Sequence, residues 1–403
     1  MQFVEAFIPY GGYWSTPFIR WQGNFAHLHS MTFAADIARR ALEERHLDTS
    51  AFDALHLGLT VPQHHSFYGA PWLAGMIGAQ GITGPTLSQA CATSARVLAS
   101  AAMAVDTDEA ETILTITCDR TSNGPHLYYP NPLGPGGRGD TEDWVWDNFS
   151  FDPYAQNAMI ETAENVAEED EISREEQDRV TLLRYEQYQH ALADDSAFLR
   201  RFMVTPIEVR DAGRRKVVAT VIGDEGVFPT TQDGLARLKP VKEGGSVTFG
   251  SQTHPADGNC GLIVAGPEKA RELSRDPGIE VQLLSFGQAR AKPGFMAQAT
   301  VPAARRALEA AGLTLDDMKA IKTHNPFGVN DIYFCRETGV PPEALNNYGC
   351  SLIWGHPQGP TGMRLVMELI EELVIKGGGY GLFTGCAAGD TAAAIVLRVT
   401  ETG

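Results

Sequence analysis

The sequence predicts an α/β fold in two compact halves parted by a long irregular excursion, and three observations carry that expectation. Helical and extended signals alternate up to about residue 121, the pattern of a sheet with helices on its faces. From about Ser122 the texture breaks into a stretch rich in Gly, Pro and aromatics with little periodicity. From about Gly278 the alternation returns. The boundaries this implies are 1–121 for the first half (completed by about 246–270), 122–245 for the excursion and 271–403 for the second half.

Each element has its own signal. Met31 to Glu44 places Phe33, Ile37 and Leu42 on one face with charges opposite, an amphipathic helix. Asp53 to Leu59 and Glu111 to Thr117 read as strands. Ser88 to Val105, Ala-rich and almost without charge, reads as a helix buried on nearly all sides. Pro125 to Tyr154 is too long and too aromatic for an ordinary connection and reads as a functional loop region. Glu161 to Asp195 carries charged surface helices, with Ser173 and Glu176 spaced as a capping box. Extended signals return over Pro206 to Val221, beside the one basic cluster, Arg214-Arg215-Lys216. The second half offers VQLLSF, AIKTH, YGLFTG and AAAIVLRV as strands, with VPAARRALEAAGL and MRLVMELIEELVIK as helices.

Composition narrows the function. The 403 residues are 43% hydrophobic, enough for two ordinary domains or one duplicated one. Lys+Arg 32 against Asp+Glu 50 gives 32 − 50 = −18, which argues against general affinity for nucleic acid or anionic membranes. No apolar run approaches the roughly 18–20 residues of a membrane span. The first residues, with Glu5 among them, lack the basic and apolar regions of a signal peptide, so a cytoplasmic location is expected. None of the six cysteines forms a C-x-x-C pair, and no metal set is expected.

Three islands carry candidate chemistry. In SQACATSA (Ser88 to Ala95), Cys91 falls where an extended approach turns into the buried helix, a place that favours a thiolate. The alternative is a small residue packed at a strand–helix junction. In NNYGCSLIWGHPQGPTGMR (Asn346 to Arg364), His356 sits among glycines that let backbone approach a ligand, and a histidine there can take a proton from a thiol. Otherwise it is a hydrogen-bonded loop histidine. In YGLFTGCAAGDTA (Tyr380 to Ala392), Cys386 falls on a Gly/Ala-rich turn open enough for a substrate carbon; a hairpin turn filled with small residues is the alternative.

The spacings (356 − 91 = 265, 386 − 356 = 30, 356 − 324 = 32) and the residues around them resemble the thiolase family. The likeness runs the whole length and includes ETAENVAEEDEISREEQD (Glu161 to Asp178), LARLKPVKEGGSVTFGS (Leu235 to Ser251) and VPAARRALEAAGLTLDDM (Val301 to Met318). The resemblance implies the thiolase fold, two similar layered α/β halves (αβαβα) with an inserted loop domain. It also implies acyl transfer between coenzyme A thioesters, with coenzyme A as substrate and no other cofactor. By the same resemblance Cys91 is acylated, His356 activates it and Cys386 moves the proton at the α-carbon. Cleaving a 3-oxoacyl thioester needs both attack on the keto carbon and protonation of a leaving enolate, which one thiolate cannot do alone.

Departures from the family pattern set further expectations. His324-Asn325-Pro326-Phe327 stands where many thiolases carry Asn-Glu-x-Phe, and resembles the branch of sterol carrier protein thiolases. His324 then donates to the enolate oxygen, while Asn325 replaces an acidic residue. Ala388 replaces a glycine whose N–H helps hold the acyl oxyanion. Ser251 to Gly258 (SQTHPADG) remodels the pantetheine contacts, with Thr253 in place of a ligand-facing serine. Met159 matches a methionine of the acyl pocket, and Phe327, Asn325 and Ala388 complete the expected substrate and coenzyme A contacts. Aromatic density in the loop region (Tyr128, Tyr129, Trp144, Trp146, Phe149, Phe151, Tyr154) and at Tyr10, Tyr13 and Trp14 suggests a bulky or aromatic acyl group. The alternative is a small core or subunit contact. A benzoylsuccinyl-CoA thiolase is one relative with such a substrate. The family implies a homodimer or tetramer, and some members of this branch work with a small zinc-ribbon/OB-fold partner subunit. A condensing enzyme on the same fold is disfavoured by Cys386. An idle, acyl-CoA-binding or partner-dependent subunit is disfavoured by the intact Cys91, His356 and Cys386. His64-His65, His27/His29 and GPGGRGD (Gly134 to Asp140) lack the supporting residues of a metal site or a phosphate loop.

Overall fold

The computed structural model describes residues 1–401. Its frame is one hydrogen-bonded network of eleven strands. The order runs Met318–His324, Gly379–Ala387, Thr391–Glu401, Ile279–Arg290, Phe7–Ile8, Ala256–Ala265, Thr112–Arg120, Ala54–Gly58, Thr86–Leu87. Tyr13–Ser15 and Ile19–Arg20 also pair with Ala256–Ala265. Both ends of the order are parallel pairs and the middle is antiparallel. The two-residue strand Phe7–Ile8 joins the two sides, pairing with Ala256–Ala265 on one edge and Ile279–Arg290 on the other. The short N-terminal strands carry little periodicity and were not expected from the sequence.

Two helices occupy the middle. Thr93–Asp106 buries residues on every side, as its Ala-rich composition dictates, and starts five residues later than the sequence suggested. Thr361–Ile375 buries an unbroken run from Thr361 to Leu373. They close on each other because position 362 has no side chain: a Cβ there would lie 3.1 Å from that of Ser94 and 3.2 Å from the Phe383 ring. Ser94 Oγ donates to the Gly359 carbonyl and locks the same contact.

Burying Thr361 to Leu373 also buries the charges of that helix. Arg364 is fully enclosed, donates to both oxygens of Asp224 at 2.7 and 2.8 Å and to Glu368 at 3.1 Å, and stacks on Trp354. Removing one partner from such a buried set leaves an uncompensated charge, which costs far more than the set itself contributes.

The region between the halves holds two small hairpins, His126–Tyr129 with Asp140–Asp143 and Ile207–Arg210 with Val217–Val221, and the helices Met159–Glu169 and Arg174–Ser196. Ser173 caps the longer helix as its spacing predicts: its Oγ accepts from Glu176 N–H, and Glu176 accepts from Ser173 N–H at 2.8 Å. No helix or strand covers 246–255, and regular structure resumes at Ala256. Among the described residues no helix is long and apolar enough to cross a membrane.

Candidate active site

Four segments far apart in sequence deliver Cys91, His324, His356 and Cys386 to one place. Cys91 lies two residues ahead of the helix Thr93–Asp106, in a loop tied by Thr93: its Oγ1 accepts from Gln89 N–H at 2.8 Å and donates to the Ala90 carbonyl at 2.7 Å. His356 sits in the loop leading to Thr361–Ile375, and its N–H donates to the His254 carbonyl at 2.9 Å. Gly355 before it has φ +94°, and a Cβ there would lie 2.6 Å from His254 Nε2, so only glycine lets the loop pass. His324 ends the strand Met318–His324, and Cys386 is the penultimate residue of Gly379–Ala387.

The Cys91 sulfur lies 3.1 Å from His356 Nε2. The other ring nitrogen fixes which way a proton can move. Thr361 Oγ1 is 2.6 Å from His356 Nδ1 and gives its own proton to the Pro357 carbonyl at 2.6 Å. With its hydrogen spent, Thr361 accepts from Nδ1–H, so Nε2 presents a lone pair to the thiol. Burial pushes the Cys91 thiol up to about 12, opposed by hydrogen bonds from the N–H groups of Ala388 and Cys91 itself. Burial, and then neighbouring His324, hold His356 well below the usual imidazole range. The resting pair is therefore a neutral thiol and a neutral imidazole. This corrects the expectation of a thiolate stabilised at a helix N-terminus: Cys91 stands outside the helix, and loss of solvent outweighs the local N–H groups.

The His324 ring lies against that of His356, tilted by 35° with centroids 4.1 Å apart. Burial lowers His324 to about 3, and its Nε2 meets no partner among the described residues. The Cys91 sulfur and one nitrogen from each histidine lie within 4.8 Å of one another, a soft donor set that a zinc-like ion would fit and that acyl transfer needs free. Cys386 is fully buried and accepts from Asn330 Nδ2 at 3.2 Å; burial, and then the neighbouring Cys91 thiol, raise its own thiol. It belongs to the strand rather than to an open turn, which corrects the reading of a residue free of surrounding bulk.

A cavity of about 1020 Å³ opens onto Cys91 and His356. Met159, Met296, Phe327, Leu352, Leu235, Leu238 and Phe249 are among its largely apolar lining. Ala388 lines it too, with its N–H on the Cys91 sulfur. Thr253 lines it, but its Oγ1 donates to the Ser351 carbonyl at 2.5 Å rather than into the space. Asn325 was expected at the ligand and is not: it is fully buried behind the site, held by Asp331 and Ser351. Of the ten aromatic residues expected around an acyl group, only Trp146 and Phe149 line the cavity. Tyr10 and Tyr13 are buried and donate to Glu371, Trp14 covers Gly261, and Tyr128, Tyr129 and Tyr154 face solvent. Trp21 and Phe228 join the lining from segments the sequence did not single out.

Residues 13–268 match the family model described as thiolase, N-terminal domain, and residues 278–399 match thiolase, C-terminal domain. The chain belongs to the thiolase family. It is 29% identical to the 3-oxoadipyl-CoA/3-oxo-5,6-dehydrosuberyl-CoA thiolase of Escherichia coli (strain K12), over 95% of this chain and 97% of that one. It is 36% identical to the peroxisomal 3-ketoacyl-CoA thiolase B of Rattus norvegicus over 59% of this chain and 56% of that one. The crystal structure of human mitochondrial 3-ketoacyl-CoA thiolase in complex with CoA superposes with a TM-score of 0.88 at 25% identity, covering 99% of each chain. That of the Bacillus anthracis acetyl-CoA acetyltransferase gives 0.89 at 26%, again over 99% of each. The fold is thus the thiolase fold. Sequence reasoning on this thiolase passed over Thr361, Asn330 and Ser351, polar residues one step behind the reacting groups. Thr361 and Ser351 lie inside the His356 island, and Asn330 lies six residues past His324 on the helix Gly328–Thr338.

Proposed function

We propose that this protein catalyses coenzyme A-dependent thiolytic cleavage of a 3-oxoacyl-CoA through an acyl group carried on Cys91. The observation that carries the reading is the 3.1 Å approach of the Cys91 sulfur to a lone pair of His356, with Cys386 within electrostatic reach. As the sulfur attacks the keto carbon, its proton passes to His356 Nε2. Collapse of the adduct breaks the bond between C2 and C3 and leaves an enolate thioester. His324 faces its oxygen, and Cys386 gives its proton to the α-carbon. The thiol of a second coenzyme A then gives its proton to the Cys386 thiolate and attacks the acyl-Cys91 thioester; the Cys91 sulfur leaves, takes its proton back from His356, and the shortened acyl-CoA is released. The Ala388 N–H, already on the Cys91 sulfur, is placed to steady the oxyanion of both adducts.

Thiolysis is downhill for most 3-oxoacyl thioesters, which favours a degradative role. The large apolar cavity with Trp21, Trp146, Phe149, Phe228 and Phe249 supports an acyl group bulkier than acetoacetyl. Relatives named for 3-oxoadipyl-CoA and 3-ketoacyl-CoA bracket the choice between dicarboxylic and simple chains. Assembly as a homodimer or tetramer, a cytoplasmic setting and a small zinc-ribbon/OB-fold partner belong to the same reading. The test is cleavage of a panel of 3-oxoacyl-CoAs, from acetoacetyl through long-chain to aryl and dicarboxylic, with Cys91→Ser alongside. Turnover lost in the variant supports the proposal. Absence of turnover with every substrate, alone and with a co-expressed partner, overturns it in favour of an idle acyl-CoA-binding subunit.

A further inference from the structure

We infer that Ser351 is a positioning residue that holds His324 in the tautomer able to donate Nε2–H to the enolate oxygen; the inference rests on the thiolase reading above. Arg184 lies 147 residues away in sequence from Asp331. The two form a fully buried ion pair at 2.8 Å. Asp331 also accepts from Thr323 Oγ1 at 2.5 Å and from Asn325 Nδ2 at 2.7 Å. A carboxylate in an ion pair only accepts, so the nitrogen of the Asn325 amide must face it and the oxygen must face away. That oxygen, Asn325 Oδ1, already accepts the N–H of Leu352 at 3.2 Å.

Ser351 completes the chain. Its Oγ accepts Asn325 N–H at 3.3 Å and has one proton to give. Two acceptors compete for it: His324 Nδ1 at 2.8 Å and Asn325 Oδ1 at 3.2 Å. The imidazole lone pair is nearer and has no other donor, while the amide oxygen already has one in Leu352 N–H. The proton goes to Nδ1, and the hydrogen of the neutral ring is left on Nε2. That nitrogen is buried and unpartnered among the described residues, on a ring whose centroid lies 4.1 Å from that of His356. The opposite tautomer would aim a lone pair at a developing negative charge. The acidic residue missing at position 325 is thus supplied by Asp331, one residue further out, and reaches His324 through Asn325 and Ser351.

The inference separates the two half-sites, because Cys91 and His356 are oriented by Thr361 and not by Ser351. In Ser351→Ala we expect Cys91 alkylation by iodoacetamide within twofold of the parent. Solvent deuterium exchange into the methyl group of acetyl-CoA, and thiolysis kcat on the best panel substrate, should fall about 10²- to 10³-fold, the range for loss of one oxyanion donor. KM should change less than threefold. In a His324→Asn background, where no tautomer remains to be set, Ser351→Ala should cost less than threefold more. Exchange and kcat kept within threefold in Ser351→Ala overturn the inference, and so does an equal loss in both backgrounds. Solid-state 15N spectra of ring-labelled, unmodified protein read the tautomer without any change at Ser351. The resonances that vanish in His324→Asn should show a bare Nδ1 and a protonated Nε2, and the reverse assignment refutes the idea. A parent without exchange or thiolysis on any substrate fails differently: it sinks the thiolase reading itself.

Discussion

Replacing Thr361 by valine tests whether a single hydroxyl makes His356 a base. Valine keeps the shape of threonine and removes the oxygen that accepts His356 Nδ1–H at 2.6 Å. The buried ring is then left with an unpaired donor, worth about 1–3 kcal/mol. It recovers part of that by moving its hydrogen to Nε2, where it faces the Cys91 sulfur and can no longer accept the thiol proton. At 1.36 kcal/mol per decade, the penalty predicts a loss of about 5- to 150-fold in any step that deprotonates Cys91. The assay is the second-order rate of Cys91 alkylation by iodoacetamide, measured beside thiolysis kcat, with Thr361→Ser as the variant that keeps the oxygen. Alkylation and kcat should fall together in the valine variant and stay near the parent in the serine variant. A folded Thr361→Val protein that alkylates within twofold of the parent would refute the reasoning, because His356 would then keep its lone pair on Nε2 without Thr361.

Three further outcomes follow from the same geometry. Asn330→Leu removes the donor at 3.2 Å from the Cys386 sulfur, so α-proton exchange should drop about tenfold while Cys91 alkylation is unchanged. Trp146→Ala, at the cavity wall, should raise KM for aryl or long-chain 3-oxoacyl-CoAs about tenfold and leave acetoacetyl-CoA within twofold; equal effects on both would remove Trp146 from the acyl site. Asp257 is raised by burial from 3.8 to about 6, so folding disfavours its carboxylate. The resulting destabilisation is absent below pH 3.8, grows as pH rises through 6 and is complete above it. Asp257→Asn should therefore stabilise by up to about 3 kcal/mol in urea melts at pH 8 and by nothing near pH 3.5.

The fold was legible where burial imposes a period on the sequence. Ala-rich Thr93–Asp106 announces a helix enclosed on nearly all sides, and runs such as AAAIVLRV announce strands of the main sheet. The strands Phe7–Ile8, Tyr13–Ser15 and Ile19–Arg20 were not legible, since two or three residues cannot show a period. The aromatic residues misled for a related reason. Tyr13 and Trp14 look like ligand contacts when counted with their neighbours, yet a ring on a short strand paired into the main sheet is core, and only topology tells the two apart.

The site was legible to the depth of its nucleophile, and the limit has a chemical cause. Cys91, His356 and Cys386 stand in distinctive Gly- and Ala-rich surroundings because reacting atoms need open backbone around them, whereas His324, in AIKTHNPF, was legible only through the family resemblance. Residues that only orient them need one oxygen at one place, and serine, threonine and asparagine supply it in any context. Burial lowers both His324 and His356, so neither carries charge in ordinary conditions, and two neutral rings 4.1 Å apart are chemically the same group. What makes one a base and the other a donor is the direction of a neighbouring hydroxyl. Thr361 accepts because its proton goes to the Pro357 carbonyl; Ser351 donates because the His324 Nδ1 lone pair, at 2.8 Å, is the nearest acceptor at its hydroxyl. A sequence records that hydroxyls are present but not which way they point, so this division of labour emerges only when every proton in the network has been assigned.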